Sequence, residues 1–339
     1  MRPPGDERLI RGTAEEDLLA TIFPLLPDGA ATLVGPGDDS AVVRAPDGRF
    51  VVSTDVLVED RHFRSRWSTG YDVGWRAAMQ NLADIAAMGA RPTSLVVSLV
   101  MPGDLEVEWV TQLARGLAAA CAPSGAAVVG GDLSGGVQVV VAVTVHGDLE
   151  GREPVLRSGA RPGDVLAHAG HLGRSAAGLA LLDADLPDLD PELVDAYLRP
   201  DPPLRAGPSA AVAGATAMMD VSDGFLRDGT RLARASGVLL DVDSGALGED
   251  TGRLTVAAAR LTSEDEHAAV RPLVVDWVLT GGEDHGMLAT FPPGVPLPEG
   301  FRAVGRVLEP PGTGSVSERV LVDGAAPTAH GTGWDHFGT

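Results

Sequence analysis

The chain has 339 residues, enough for two domains of ordinary size, and carries a formal net charge of −21. That charge excludes a general binder of nucleic acid or of anionic membranes, and a small anion would need a metal ion or a local arginine in order to approach. All 26 basic residues are arginine and none is lysine, which excludes a Walker A lysine, the strand lysine of protein kinases and a lysine Schiff base.

Neither an apolar run of transmembrane length nor an N-terminal signal stretch is present, so the expected location is the cytoplasm. Cys121 is the single cysteine; it rules out an internal disulfide, and its Ala-rich helical surroundings predict a buried, inert thiol.

In chain order, residues 6–23 predict an amphipathic helix broken near Gly12 and ended by Pro24. Ala41–Val43 and Phe50–Asp55 are apolar runs joined by Pro46-Asp47-Gly48, the pattern of a hairpin. Asp38, Asp39, Ser53, Thr54 and Asp55 then fall at strand ends. Gly-Asp-Asp-Ser is also ordinary turn chemistry, but carboxylates brought close together repel, and binding a hard cation relieves them. His62 lies in the loop that follows.

Val73–Met88 has helical periodicity with Gly89 as its stop, and it places Gln80, Asn81 and Asp84 on one polar face. Thr93–Met101 reads as a buried strand and Leu105–Cys121 as a second helix. Ala126–Asp132 reads as a strand ending on Gly130, Gly131 and Asp132, where glycine lets backbone amides approach a phosphate and the aspartate can hold its metal. Val137–His146 is a further strand. Residues 147–164 turn rich in Gly, Pro and Arg, which sets the expected domain boundary, 1–150 and 151–339.

Beyond it, Asp164–Ala169 predicts a strand, Arg174–Leu182 a helix, and residues 183–208 a long connection with one short helix. Ala217–Asp220 is an apolar strand leading into Val221-Ser222-Asp223-Gly224, with Ser222 and Asp223 at the start of the next helix, where capping is the ordinary role. Val238–Val242 is a strand, residues 245–270 a looser helical region, and Val274–Leu279 leads into Thr280-Gly281-Gly282-Glu283-Asp284. Ala303–Leu308 and Val320–Val322 are the last strands before the tail Gly333-Trp334-Asp335-His336-Phe337. Strand and helix alternate in both halves, so the fold class is α/β.

Asp38/Asp39, Asp55, Asp84, Asp132 and Asp220/Asp223 repeat one theme. If a fold gathers them at one cleft, several divalent ions are needed, and oxygen-only ligands select Mg2+ over zinc. Phosphoryl transfer is the chemistry such ions serve, by neutralising charge on phosphate oxygens.

The segments GDDSAVV, STDVLVEDRHF, NLADIAAMGARP, VVGGDLSGG, LRSGARPGD, MDVSDGF, LTGGEDHGML and GWDHF together resemble the thiamine-monophosphate kinase family, of the aminoimidazole ribonucleotide synthetase-like superfamily. The resemblance implies two αβ domains, an N-terminal metal- and ATP-binding one whose sheet pairs in a homodimer and a C-terminal one. It implies ATP- and Mg2+-dependent direct transfer to thiamine monophosphate, giving thiamine diphosphate. By this resemblance Asp39, Ser53, Thr54, Asp55, Asp84, Asp132, Asp220 and Asp223 correspond to metal ligands. Gly131, Asp132, Arg157 and Ser222 correspond to ATP contacts, and His62, Glu283 and Trp334 to contacts with the thiamine phosphate. No residue is assigned as acid, base or nucleophile. The chain departs from the family at Asp60, usually glycine, at His285-Gly286, usually Tyr-Glu, and at Phe225, usually leucine; the second departure bears on the wall of the acceptor pocket. The competing readings are an aminoimidazole ribonucleotide synthetase-like enzyme, which gives the terminal GWDHF no role, and a non-enzymatic acidic protein stabilised by cations.

Overall fold

The computed structural model describes residues 9–36, 40–247, 251–262, 268–310, 319–331, 333 and 334. It comprises two compact units, Met1–Ile85 with Ala90–Gly151 and Ala86–Gly89 with Arg152–Thr339. Both mix helices with sheet, an α/β fold. No helix among the described residues is long and apolar enough to cross a membrane.

The first unit runs α1 (Glu15–Ile22), β1 (Thr32–Val34), β2 (Val42–Val43), β3 (Val51–Val58), α2 (Gly70–Ala87), β4 (Arg91–Met101), α3 (Val107–Cys121), β5 (Ala127–Gly135) and β6 (Val140–Asp148). Its main sheet has the order β3-β6-β4-β5, with β4 and β5 parallel and the other pairs antiparallel. Leu57, Val141, Val143 and Val145 are buried on one face. The apolar stripe of α2, with Ala78, Leu82 and Ile85, is buried as well. A capping box starts α2: Thr69 Oγ1 accepts from Asp72 N at 3.3 Å while Asp72 Oδ2 accepts from Thr69 N at 2.8 Å. Cys121 closes α3 as a buried free thiol, and burial pushes it up to about 12.

The expected opening hairpin does not form. Pro46-Asp47-Gly48 makes its turn, but β2 pairs with β1 and β3 takes β6 as its partner. Two residues of β2 offer too short a ladder to compete with the eight-residue pairing of β3 on β6. Nor does β5 stop at its glycines. It continues to Gly135, so Asp132 lies within a strand, as Asp55 does in β3.

The second unit runs β7 (Val165–Ala169), α4 (Arg174–Asp183), α5 (Pro191–Leu198), α6 (Ala206–Val212), β8 (Ala217–Val221), α7 (Phe225–Ser236), β9 (Leu239–Val242), α8 (Thr251–Leu261), α9 (Val270–Thr280), β10 (Gly286–Phe291), β11 (Phe301–Leu308) and β12 (Val320–Val322). Its sheet order is β12-β9-β11-β7-β10-β8, antiparallel except for β12 on β9. Val155, Ala167, Met218, Ala289 and Phe291 form part of its core. The supposed connection at 183–208 holds α5 and the start of α6. Strand β10 follows the Gly-Gly-Glu-Asp stretch at once and is buried along its whole length.

Candidate active site

In the first unit the strand period of two divides the Ser53-Thr54-Asp55 run. Ser53 and Asp55 share the face of buried Leu57, and Thr54 stands on the other face between exposed Val52 and Val56. Ser53 Oγ donates to Asp84 Oδ2 at 2.6 Å, tying β3 to α2 and bringing Ser53, Asp55 and Asp84 onto one side. Thr54 Oγ1 instead donates to the Val143 carbonyl at 2.9 Å.

Asp132 is exposed on β5 and registers with Ser98. Strands β3 and β5 are opposite edges of the sheet, with β6 and β4 between them. At about 4.8 Å per strand, Asp55 and Asp132 lie on the order of 14 Å apart. Gly130, Gly131 and Asp132 border a cavity of 960 Å³ whose apolar wall includes Leu19, Leu113, Leu117 and Val128.

His62 is fixed by its neighbours. Its Nδ1 accepts from Val58 N at 3.0 Å, which leaves Nε2 as the protonated nitrogen of the neutral ring, and buried Arg76 donates to its carbonyl at 3.3 Å. Asp39 lies outside the described residues.

The second unit gathers three backbone segments. Glu283 N donates to Ser222 O at 2.8 Å, and Trp334 N donates to Asp223 O at 2.8 Å. Such approach needs bare Cα atoms: a side chain at Gly282 would meet Ser222 O, one at Gly333 would meet Asp223 O, and one at Gly224 would meet Thr280 O at 2.6 Å. Asp220, Ser222, Asp223, Glu283 and Trp334 are thereby brought into one neighbourhood. Arg157 is exposed on a loop braced by Ser236, whose hydroxyl donates to Arg157 O at 2.9 Å and accepts from Gly159 N and Ala160 N.

Two acids that the sequence reading left without a role hold this arrangement. Asp284 accepts from Gly173 N at 2.6 Å and Ser175 N at 2.8 Å, capping α4 from a distant loop. Asp228 is fully buried; its Oδ2 accepts from Ser222 N at 3.0 Å and Asp223 N at 2.8 Å. These amides are committed, so Ser222 has its hydroxyl to offer a ligand. Arg231 Nη1 bridges Asp228 Oδ1 at 2.6 Å and Asp223 Oδ2 at 2.7 Å.

Burial pushes the Asp228 carboxyl up to about 6, against the lowering effect of its bond from the Asp223 amide, and the nearby Asp220 and Asp223 charges push it further in the same direction. A carboxyl whose folded value exceeds its unfolded one stabilises the fold most when protonated, at low pH. That contribution is lost as pH rises through 6. Between pH 5 and 8 the chelator-treated protein is expected to lose on the order of 1 kcal/mol relative to Asp228→Asn, measured by urea unfolding at each pH. A wild-type pH profile parallel to that of the variant would refute it.

Among the described residues no three His, Cys, Asp or Glu side chains converge as a metal-holding group. The donors are nonetheless all oxygen, with Asp55 and Asp84 in one unit and Asp220 and Asp223 in the other. One or two carboxylates completed by water and substrate phosphate is the usual way Mg2+ is held, so the residues present fit that ion.

Residues 37–149 match the family of the AIR synthase related protein, N-terminal domain. Over 309 residues the chain is 48% identical to thiamine-monophosphate kinase of Mycobacterium tuberculosis, covering 91% of this chain and 87% of the relative. The chain belongs to the thiamine-monophosphate kinase family. The enzyme of that name from Corynebacterium glutamicum is 42% identical over 308 residues, 89% of this chain and 88% of the relative. Among solved structures, AaThiL complexed with AMPPCP and TMP aligns with a TM-score of 0.73 at 30% identity, over 99% of both chains.

The departures from the thiamine-monophosphate kinase pattern have local explanations. Asp60 stands at φ 62, a left-handed position that suits glycine and that aspartate tolerates. Phe225 is fully buried and meets His168 edge-on at 6.3 Å. His285 is buried and bonded to Asp220, so its ring is turned toward the carboxylate of β8.

Proposed function

We propose that this chain is an ATP-dependent kinase that phosphorylates thiamine monophosphate to thiamine diphosphate. The observation that carries the reading is the family relation across nine-tenths of the chain. The related structure with AMPPCP, an ATP analogue, and TMP supports the two substrates.

In this reading Asp55 and Asp84, with Ser53 as the hydrogen-bond partner of Asp84, and Asp220 and Asp223 hold Mg2+. Thr54 points its hydroxyl to the opposite face of β3 from Asp55, so in this reading its main chain is the part that would contribute. Bound divalent ions would supply neutralisation of the charge that builds on the phosphoryl oxygens. Gly131 and Asp132 serve ATP beside the cavity of the first unit, and Arg157 and the Ser222 hydroxyl serve its phosphates. His62 brings its imidazole to the thiamine phosphate, Glu283 a carboxylate for the thiamine cation, and Trp334 aromatic surface. The chain is proposed to divide into a metal- and ATP-binding domain at 1–150 and a second domain at 151–339.

A homodimer is supported by the open face of the first sheet. Val52 and Val56 are exposed there, and Val42 and Phe50 are exposed on neighbouring segments, an apolar surface of the kind that marks a protein interface. ATP and a soluble phosphate ester as substrates support a cytoplasmic location for the proposed activity.

Purified protein given ATP, Mg2+ and thiamine monophosphate should yield thiamine diphosphate on chromatography. No product with ATP consumed, or no dependence on the acceptor, would return the question to the synthetase-like alternative. Transfer should also be direct, because no side chain here is set up as an activated nucleophile and both reactants are anions that can be held in line. Incubation with γ-labelled ATP without acceptor should leave the protein unlabelled; stable label on an Asp or His would contradict direct transfer.

A further inference from the structure

His285 has no part in the contacts assigned above, yet the loop that carries it is built around its ring. Two non-glycine residues in this loop, Glu283 at φ 68 and His285 at φ 51, occupy the left-handed region, where few non-glycine residues are found. Between them Asp284 is anchored on the start of α4. The His285 amide donates to Val221 O at 3.1 Å, continuing the pairing of β10 with β8, and its ring turns back so that Nδ1 lies 3.1 Å from Asp220 Oδ2.

Both partners are buried, so this bond forms where water does not compete. A carboxylate only accepts, so Nδ1 is the donor. The next residue must be glycine: a Cβ at Gly286 would run into the His168 ring and meet Ala169 O at 2.8 Å. Strand β10 is thus held tight against β7 one residue beyond His285. Left-handed backbone of this kind is kept where surrounding structure enforces it, and such positions cluster at functional sites.

We propose that His285 is a positioning residue that holds the Asp220 carboxylate by one oxygen, Oδ2, and so fixes the direction in which Oδ1 is presented to the bound cation and phosphate. The inference rests on the reading of Asp220 as a ligand in the phosphoryl-transfer site. Deleting such an outer partner commonly costs 10- to 100-fold in metal affinity or activity.

Three full-length variants separate positioning from packing. His285→Asn keeps a donor near the place of Nδ1 and tolerates left-handed backbone; His285→Gly relaxes the backbone but loses the donor; His285→Leu keeps apolar bulk and loses the donor. The Gly and Leu variants should lower kcat about tenfold or more with KM for thiamine monophosphate nearly unchanged, and weaken the rise in melting temperature on adding Mg2+. The Asn variant should recover to within about threefold of wild type.

Crystal structures of the metal-free wild type and Gly variant give a readout independent of turnover, in which Asp220 should change rotamer. An unchanged Asp220, or an Asn variant as impaired as the Gly variant, would overturn the proposal. Should the wild type fail to phosphorylate thiamine monophosphate, the kinase reading falls, and the Asp220 rotamer still decides whether His285 positions it.

Discussion

Asp132→Asn and Asp55→Asn should each lower kcat at least about 100-fold, more than the loss of an outer partner usually costs, because each removes a charge proposed to meet the nucleotide or its metal directly. The two residues test different parts of the site. Asp55 lies on the α2 side of β3, in the company of Ser53 and Asp84, whereas Asp132 is exposed on the far edge strand. Folding should be spared in both, since Asn is nearly isosteric and removing one of several like charges relieves repulsion in the metal-free protein. Steady-state kinetics at saturating Mg2+, with melting temperature as the control, checks this. Turnover within a few-fold of wild type in either variant removes that residue from the site; a collapse in melting temperature would mean that it acts on the fold.

Much of this framework is legible in the sequence where apolar residues keep a regular period. The stripes of α2 and α3 and the alternation in β4 and β6 are fixed by burial, so the pattern is written in the residues themselves. The failures are equally physical. Two-residue β2 pairs with β1, whose three residues Thr-Leu-Val are too few to show a strand period, and β5 runs on through Gly130 and Gly131 because neighbouring β4 supplies a partner for each of them. Strand β10 begins on a glycine needed for room beside His168, which hides it in what reads as loop.

Within the site, the Asp-x-Ser-Asp-Gly and Gly-Gly-Glu-Asp stretches mark ligand-facing residues, since both spend glycines on close backbone approach. Their supports leave no such mark. Asp228 in the first turn of α7, Asp284 capping a helix more than a hundred residues earlier in the chain, and His285 on Asp220 act through contacts that only the fold creates. At the departure His285-Gly286, which by sequence bears on the acceptor wall, the structure shows the His285 ring bonded to Asp220.

Unphosphorylated thiamine should be a very poor substrate, with kcat/KM lower than that of thiamine monophosphate by about three orders of magnitude, the loss of a metal- and arginine-matched phosphate corresponding to roughly 4 kcal/mol. The acceptor phosphate is itself the nucleophile in the proposed transfer, so free thiamine would have to offer a hydroxyl in its place. Recognition of the rest of the molecule should fall to Trp334 and Glu283, aromatic surface and carboxylate for a cationic thiazolium. Trp334 could instead serve as a hydrophobic anchor for the tail, and the structure bears on that choice: its backbone amide binds Asp223 O while its ring remains 48% exposed. The main chain thus supplies an anchor of its own beside the partly exposed side chain. Trp334→Ala should therefore raise the KM for thiamine monophosphate about tenfold, leave ATP binding nearly unchanged and move the melting temperature little. A lower melting temperature with both substrates impaired alike would make Trp334 a structural pin, and efficient phosphorylation of free thiamine would overturn this account of the acceptor pocket even in a working kinase.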